Sequence, residues 1–357
     1  MYSTETIDRA FESFRGKRVL VIGDVMIDAY LWGRVDRISP EAPVPIVSLH
    51  KRENRLGGAA NVALNIINLG GVPLLCTVTG DDEKGTLFSE LLKENGLSAG
   101  GLMTGKGRKT TVKFRIIGNN TQMLRVDEET EHPLTEEESA GLTEMILDLL
   151  DKRQADAIVF EDYDKGVISP PLIRRVVDKA RELGIPVAVD PKRRNFMEYR
   201  GVSLFKPNLR ELQEGLKLDE VPEDREQVRR AVTELQSRLQ AGTILATLGG
   251  KGLFLRTLDG SDAPREKFVA GFSRDISDVS GAGDTVISLA ALGLAARLDA
   301  GLMAALCNLG GGLVCEHVGV VPVNRETLLA EARRHLCTPD GNKPGSNQSH
   351  NTGATGN

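Results

Sequence analysis

This chain predicts a doubly wound α/β fold, with a mostly parallel sheet flanked by helices and a small β lid. Short apolar runs recur, each ending in a polar cluster. Amphipathic helices separate those runs, and two strand sets of different character interrupt the pattern early in the chain.

An amphipathic opening helix is followed by Val19-Leu20-Val21-Ile22-Gly23, which reads as a buried parallel strand. Asp24 and Asp28 follow it. Ligands of open α/β sheets lie beyond the carboxyl ends of strands, so both acids are site candidates. Asp24 reads equally well as a loop acid or helix cap. Residues 30–47 hold too much proline for a helix and too much apolar character for a linker, which suggests edge strands. Residues 109–127 alternate around a Gly118-Asn119-Asn120 turn and read as a hairpin. Together they place a lid at about residues 30–50 and 109–127. Between them, Gly57-Gly58 opens an amphipathic helix with Asn61 in its first turn. Taken alone, such a glycine pair serves close packing.

In the middle, strands at residues 157–160, 186–189, 202–205 and 242–247 alternate with helices. They end in Glu161-Asp162-Tyr163-Asp164-Lys165, Asp190-Pro191-Lys192, Lys206-Pro207-Asn208-Leu209-Arg210-Glu211 and Leu248-Gly249-Gly250-Lys251-Gly252. Short βα connections put all these clusters on one rim. Residues 1–337 are therefore expected to form the folded domain. Residues 338–357, almost without apolar side chains, are expected to be disordered.

Composition narrows the function. A net charge of −5 with no basic block gives no nucleic-acid footprint. The charged N-terminus and the absence of a long apolar run argue for a cytoplasmic protein that neither enters nor crosses a membrane. Cys76, Cys307, Cys315 and Cys337 are scattered without metal-ligand spacing and read as reduced packing thiols. Neither a dinucleotide GxGxxG after a strand nor a Walker A lysine occurs.

The chemistry concentrates at Asp278-Val279-Ser280-Gly281-Ala282-Gly283-Asp284-Thr285, a small-residue turn feeding an apolar helix. Backbone N–H groups and the positive end of a helix dipole make an anion trap there. Asp284 in the first turn is either a dipole-stabilising cap or a base for an attacking hydroxyl. Phosphoryl transfer needs both an anion hole and a base.

That string resembles the C-terminal signature of the ribokinase-like (PfkB) carbohydrate kinases. The resemblance implies that Asp284 is the catalytic base and that Gly281, Ala282 and Gly283 form the anion hole. Gly23-Asp24-Val25-Met26-Ile27-Asp28 and the Gly57-Gly58-Ala59-Ala60-Asn61 entry fit the family's sugar-binding motifs, implying substrate contacts for Asp28, Gly58 and Asn61. Asn208-Leu209-Arg210-Glu211 resembles its Asn-x-x-Glu motif, in which Glu211 organises Mg²⁺. Read by itself, this is a helix capping box. Thr247 to Gly252 resembles the nucleotide loop, implying ATP contacts at Asn208, Thr247, Gly249 and Gly252, with Asn308 near adenine. Read alone, the loop is a hairpin turn and Asn308 a bonded helix residue. The lid implies a homodimer.

Arg115, Lys165 and Lys192 fall on segments expected to surround the substrate. With Asp162 and Asp190 they suggest hydroxyl readers beside a clamp for a phosphosugar. Ser39-Pro40-Glu41-Ala42-Pro43-Val44-Pro45, Glu161-Asp162-Tyr163-Asp164-Lys165-Gly166 and Asp190-Pro191-Lys192 resemble the D-glycero-β-D-manno-heptose 7-phosphate kinases over about residues 15–337. This implies phosphorylation of the anomeric O1, for ADP-heptose and lipopolysaccharide core synthesis. The His-x-Gly-His motif of the nucleotidyltransferase fused to some members does not occur here, so a stand-alone kinase is expected. The alternatives are a kinase for another acceptor, such as fructose 6-phosphate or a nucleoside, and a non-enzymatic sugar or nucleotide sensor. Arg34 and Arg37 face a lid partner or solvent.

Overall fold

The computed structural model describes residues 1–258 and 263–337, so the tail expected to be disordered lies outside the described residues. The first half comprises α1 (Thr4–Ser13), β1 (Arg18–Gly23), β2 (Val25–Ile38), β3 (Pro45–Gly58), α2 (Ala59–Asn68), β4 (Val72–Gly80), α3 (Glu83–Glu94), β5 (Leu102–Gly105), β6 (Val112–Gly118), β7 (Thr121–Glu128) and α4 (Glu136–Asp151). There follow β8 (Ala157–Glu161), α5 (Pro170–Leu183), β9 (Val187–Asp190), β10 (Leu204–Phe205), α6 (Leu209–Leu216), α7 (Arg225–Leu239), β11 (Thr243–Thr247), β12 (Gly252–Thr257) and β13 (Arg265–Ala270). Helices α8 (Ala282–Ala295), α9 (Ala300–Val314) and α10 (Arg325–Leu336) complete it.

The main sheet has nine strands in the order β13-β12-β11-β10-β9-β8-β1-β4-β5. From β11 to β5 every neighbour is parallel, while β12 and β13 add on antiparallel. Parallel neighbours need crossover connections, which the helices supply. Their ends follow local rules: Thr135 and Glu138 make a reciprocal capping box on α4, and Gly184 closes α5 in the left-handed region.

Alternation along the strands divides the core between two faces. Val19, Val21, Val159, Ala188 and Leu204 pack in one cluster with residues of α2, α8 and α9. Leu20, Ile22, Ile158, Phe160, Val189 and Phe205 pack in the other with residues of α4, α5 and α7. The period of two then decides which rim residues meet α8. Glu161, Asp190 and Lys206 continue the α8 face, whereas Asp24 and Asp162 continue the opposite one.

The lid is a separate four-stranded sheet, β3-β2-β6-β7. Strand β2 pairs antiparallel with β3 and parallel with β6, and β6 returns as β7. Both expected strand sets are present, joined by a β2–β6 pairing across intervening helices. No helix among the described residues is long and apolar enough to cross a membrane.

Candidate active site

The strand register builds the site. Gly23 of β1 pairs with Glu161 of β8, and Glu161 pairs with Asp190 of β9, so both acids stand side by side where their strands end. Helix α8 points its N-terminus at this row. One carboxylate oxygen each from Glu161, Asp190 and Asp284 lies within 4.8 Å of the others.

Gly281 is the N-cap of α8 at φ 80°, the left-handed region where glycine carries no Cβ penalty. A side chain there would also stand 3.1 Å from Asn61 Nδ2. The ladder of α8 starts with Thr285 N–H donating to Gly281 O at 3.0 Å, which leaves Gly283 and Asp284 N–H ahead of it. Ala282 N–H makes only a long 3.4 Å bond to Val279 O. At Gly283, a Cβ would approach Lys206 Nζ to 3.5 Å and Asp190 Oδ2 to 3.4 Å, so glycine keeps the ammonium open to whatever the amides hold.

Asp284 is buried and held from both sides. Asn61 Nδ2 donates to Oδ2 at 2.7 Å and the Tyr163 hydroxyl donates to Oδ1 at 2.9 Å. Burial pushes its carboxyl up to about 6; Asn61 and Tyr163 pull it down, Asp190 adds to the rise and Lys206 opposes it. A base of this kind is ionised near neutrality yet still basic enough to take a hydroxyl proton. The kcat/KM of the enzyme is therefore expected to fall about tenfold per pH unit below about 6. Asn61→Leu removes a bond that favours the ionised form, so the acid limb moves to higher pH. A limb in the ordinary carboxylate range, or one unmoved in the variant, would contradict the assignment.

Lys206 and Glu161 are functional candidates that the sequence reading did not single out. Lys206 Nζ pairs with Asp190 Oδ2 at 2.8 Å, and both side chains are buried. Glu161 is fully buried, neither of its oxygens has a hydrogen-bond partner, and burial beside Asp190 and Asp284 raises its pKa well above the usual range. Alternation supplies the signal that finds them: each lies two residues beyond a core residue of the α8 face, Val159 or Leu204.

Asp162, expected to read a substrate hydroxyl, is turned to the other face of the sheet from Asp284. Its oxygens accept from Asp164 N–H at 2.9 Å, Asn195 Nδ2 at 3.0 Å and the Tyr199 hydroxyl at 2.7 Å, all on the opposite side of the sheet. Asp24 likewise works as a loop organiser. It accepts the backbone N–H groups of Tyr163, Lys165 and Val167 at 2.8–3.0 Å, fixing the segment that carries Tyr163.

The three expected clamp cations are each paired with a carboxylate. Arg115 is bound to buried Asp28. Lys165 lies 2.8 Å from both Glu129 and Glu131, and Lys192 lies 2.7 Å from Glu211. Each keeps further N–H donors, so a phosphate reaching any of them shares the cation with a carboxylate. Gly58 is the N-cap of α2, with Asn61 one turn along.

On the other flank, Asn208 bridges to Thr247, Gly252 opens β12 opposite Ala270, and Asn308 Nδ2 donates to Ala270 O at 2.8 Å. Asn208, Thr247, Gly252 and Asn308 thus share one neighbourhood, with Gly249 in the short turn before Gly252. The Asn208–Glu211 capping box forms in both directions at 2.9 Å. Glu211 spends one oxygen there and the other on Lys192, so it suits holding a metal's water ligands rather than the ion itself. A cleft of about 740 Å³, touching Lys17, Asp156, Arg181 and Arg297, opens at the amino ends of the strands, away from this rim.

Comparison with known proteins agrees with this geometry. Residues 17–327 match the model of the pfkB family carbohydrate kinases. The chain is 37% identical over 336 residues to the bifunctional protein HldE of Syntrophotalea carbinolica, covering 94% of this chain and 66% of that protein. It is 40% identical over 322 residues to HldE of Caulobacter vibrioides, covering 89% and 64%. The chain therefore spans somewhat under two thirds of the length of these curated relatives. Among solved structures, Escherichia coli phosphofructokinase-2 in complex with fructose-6-phosphate superposes with TM-score 0.70 at 18% identity, covering 89% of this chain and 99% of that one. Arabidopsis thaliana ribokinase complexed with ribose and ATP gives 0.65 at 18%, covering 88% and 98%. These two share the ribokinase-like fold. With the family model spanning most of its length, the chain belongs to the pfkB family of carbohydrate kinases.

Proposed function

We propose that this kinase transfers the terminal phosphoryl group of Mg·ATP to the anomeric O1 of D-glycero-D-manno-heptose 7-phosphate, giving the 1,7-bisphosphate for ADP-heptose and lipopolysaccharide core synthesis. The observation that carries the chemistry is buried Asp284, aimed by Asn61 and Tyr163 at the head of a helix whose first amides are open. Asp284 takes the proton of the acceptor hydroxyl. The amides from Gly281 to Gly283 hold charge developing on the phosphoryl oxygens, and Lys206 adds a nearby cation. Magnesium, when bound, neutralises nucleotide phosphate charge, and Glu211 would hold its waters.

The choice of acceptor rests on the lid string Ser39 to Pro45 and the Glu161 to Gly166 and Asp190 to Lys192 strings, with their likeness to heptose 7-phosphate kinases. A coupled ADP-release assay over an acceptor panel tests it. Heptose 7-phosphate is expected to exceed fructose 6-phosphate, ribose and nucleosides in kcat/KM by at least about tenfold, the margin of one well-placed recognition group. Preference for a hexose phosphate would move the enzyme to another acceptor. Tight phosphosugar binding with no ADP release would make it a sensor.

A homodimer through the lid completes the reading. Edge strand β7 leaves Met123, Leu124 and Val126 at 42%, 57% and 47% exposure, apolar surface on an unpaired edge. Sedimentation is expected to give two chains per particle, reduced to one by Leu124→Lys with Val126→Lys. A wild-type monomer would overturn this assembly.

A further inference from the structure

We propose that Glu161, Asp190 and Asp284 form a divalent-cation site belonging to the protein itself, able to take up Mg²⁺ or Mn²⁺ before any nucleotide arrives. Three observations converge on it. Strand register and the period of two bring Glu161 and Asp190 to the same face, under the first turn of α8, where Asp284 completes a set of oxygens within 4.8 Å of one another. Around a bound Mg²⁺ adjacent oxygens stand about 3 Å apart and opposite ones about 4.2 Å, so side-chain shifts of about 1 Å close the set.

The second observation is Glu161. It is 0% exposed and both oxygens lack any hydrogen-bond partner. Buried carboxylates ordinarily have partners, because an unpaired one is expensive to desolvate. Its neighbours in the cluster are acceptors like itself. A cation is the group that would satisfy Glu161, since Asp190 already holds Lys206 and Asp284 already accepts from Asn61 and Tyr163.

Charge supplies the third. Three carboxylates face one fully buried ammonium, that of Lys206 on Asp190, while Lys192 is committed to Glu211. With all three carboxylates ionised, two negative charges remain, which one divalent ion balances. An all-oxygen set selects Mg²⁺ or Mn²⁺ over thiolate- or imidazole-seeking metals. The set shares no residue with the Glu211 position. Each Asp284 oxygen keeps a lone pair beyond the bond it accepts from Asn61 or Tyr163, so one can hold the ion and the other meet the acceptor hydroxyl.

The test uses the full chain without sugar or nucleotide, titrated with Mn²⁺ and followed by the electron paramagnetic resonance of the free ion. One saturable site per chain is expected, with Glu161→Gln weakening it at least tenfold and Glu211→Gln shifting it less than twofold. Glu161→Gln keeps the side-chain shape; should it not fold, Asp284→Asn is measured in its place with the same expected loss. Absence of saturable binding in the wild type, unchanged affinity in Glu161→Gln, or an equal loss in Glu211→Gln would overturn the site. Because no turnover is read, the outcome is separate from the choice of acceptor sugar.

Discussion

Asp284→Asn is expected to lower kcat by about a hundred- to ten-thousand-fold, the range typical of a single general base, while binding of sugar and nucleotide changes little. The substitution tests chemistry because the surroundings tolerate it. Asn61 Nδ2 still finds the remaining carbonyl oxygen, and the Tyr163 hydroxyl, which both donates and accepts, turns to meet the new amide. Burial and packing on α8 are kept. What is lost is the ability to take a proton. Near-normal turnover in a folded variant would remove Asp284 from the mechanism and leave it a helix-end residue stabilised by the dipole.

Lys206→Met is expected to destabilise the fold by about 3–5 kcal/mol, the usual consequence of stranding one member of a buried ion pair. Lys206 is 3% exposed, as is Asp190, and the 2.8 Å bond between them is the only salt bridge that either makes among the described residues. Methionine fills the volume of the lysine stem, so packing loss is small and the uncompensated carboxylate dominates. The double variant Lys206→Met with Asp190→Asn leaves no such charge and is expected to recover most of the deficit. Urea unfolding of the wild type, both single variants and the double variant measures the coupling. Additive effects would show that the two groups do not depend on one another.

The framework was legible because its signals are local. Apolar runs ending in polar clusters marked the parallel strands, the Gly118 to Asn120 turn marked β6 and β7, and Asn208 with Glu211 announced the capping box that forms. The anion trap was legible for the same reason, since Gly281 at positive φ and the start of α8 lie within one string. Partnerships were harder. Arg115, Lys165 and Lys192 read as a phosphosugar clamp without their carboxylate partners, because Asp28, Glu129, Glu131 and Glu211 reach them only through tertiary structure. The β2–β6 pairing is equally non-local. Asp162 was preferred to Glu161 although the two are adjacent, and face decides between them. Val159 and Glu161 look toward α8, while Phe160 and Asp162 look toward Tyr199. Carrying the strand period one step past the strand would have exchanged these roles.

Phosphorus NMR of the product is the most direct check on phosphoryl transfer to the anomeric oxygen with Asp284 as base. With heptose 7-phosphate and Mg·ATP, the wild type is expected to produce a second phosphate resonance coupled to the anomeric proton, and Asp284→Asn to produce almost none over the same period. Inorganic phosphate alone, a phosphate on another hydroxyl, or equal product from the variant would contradict it.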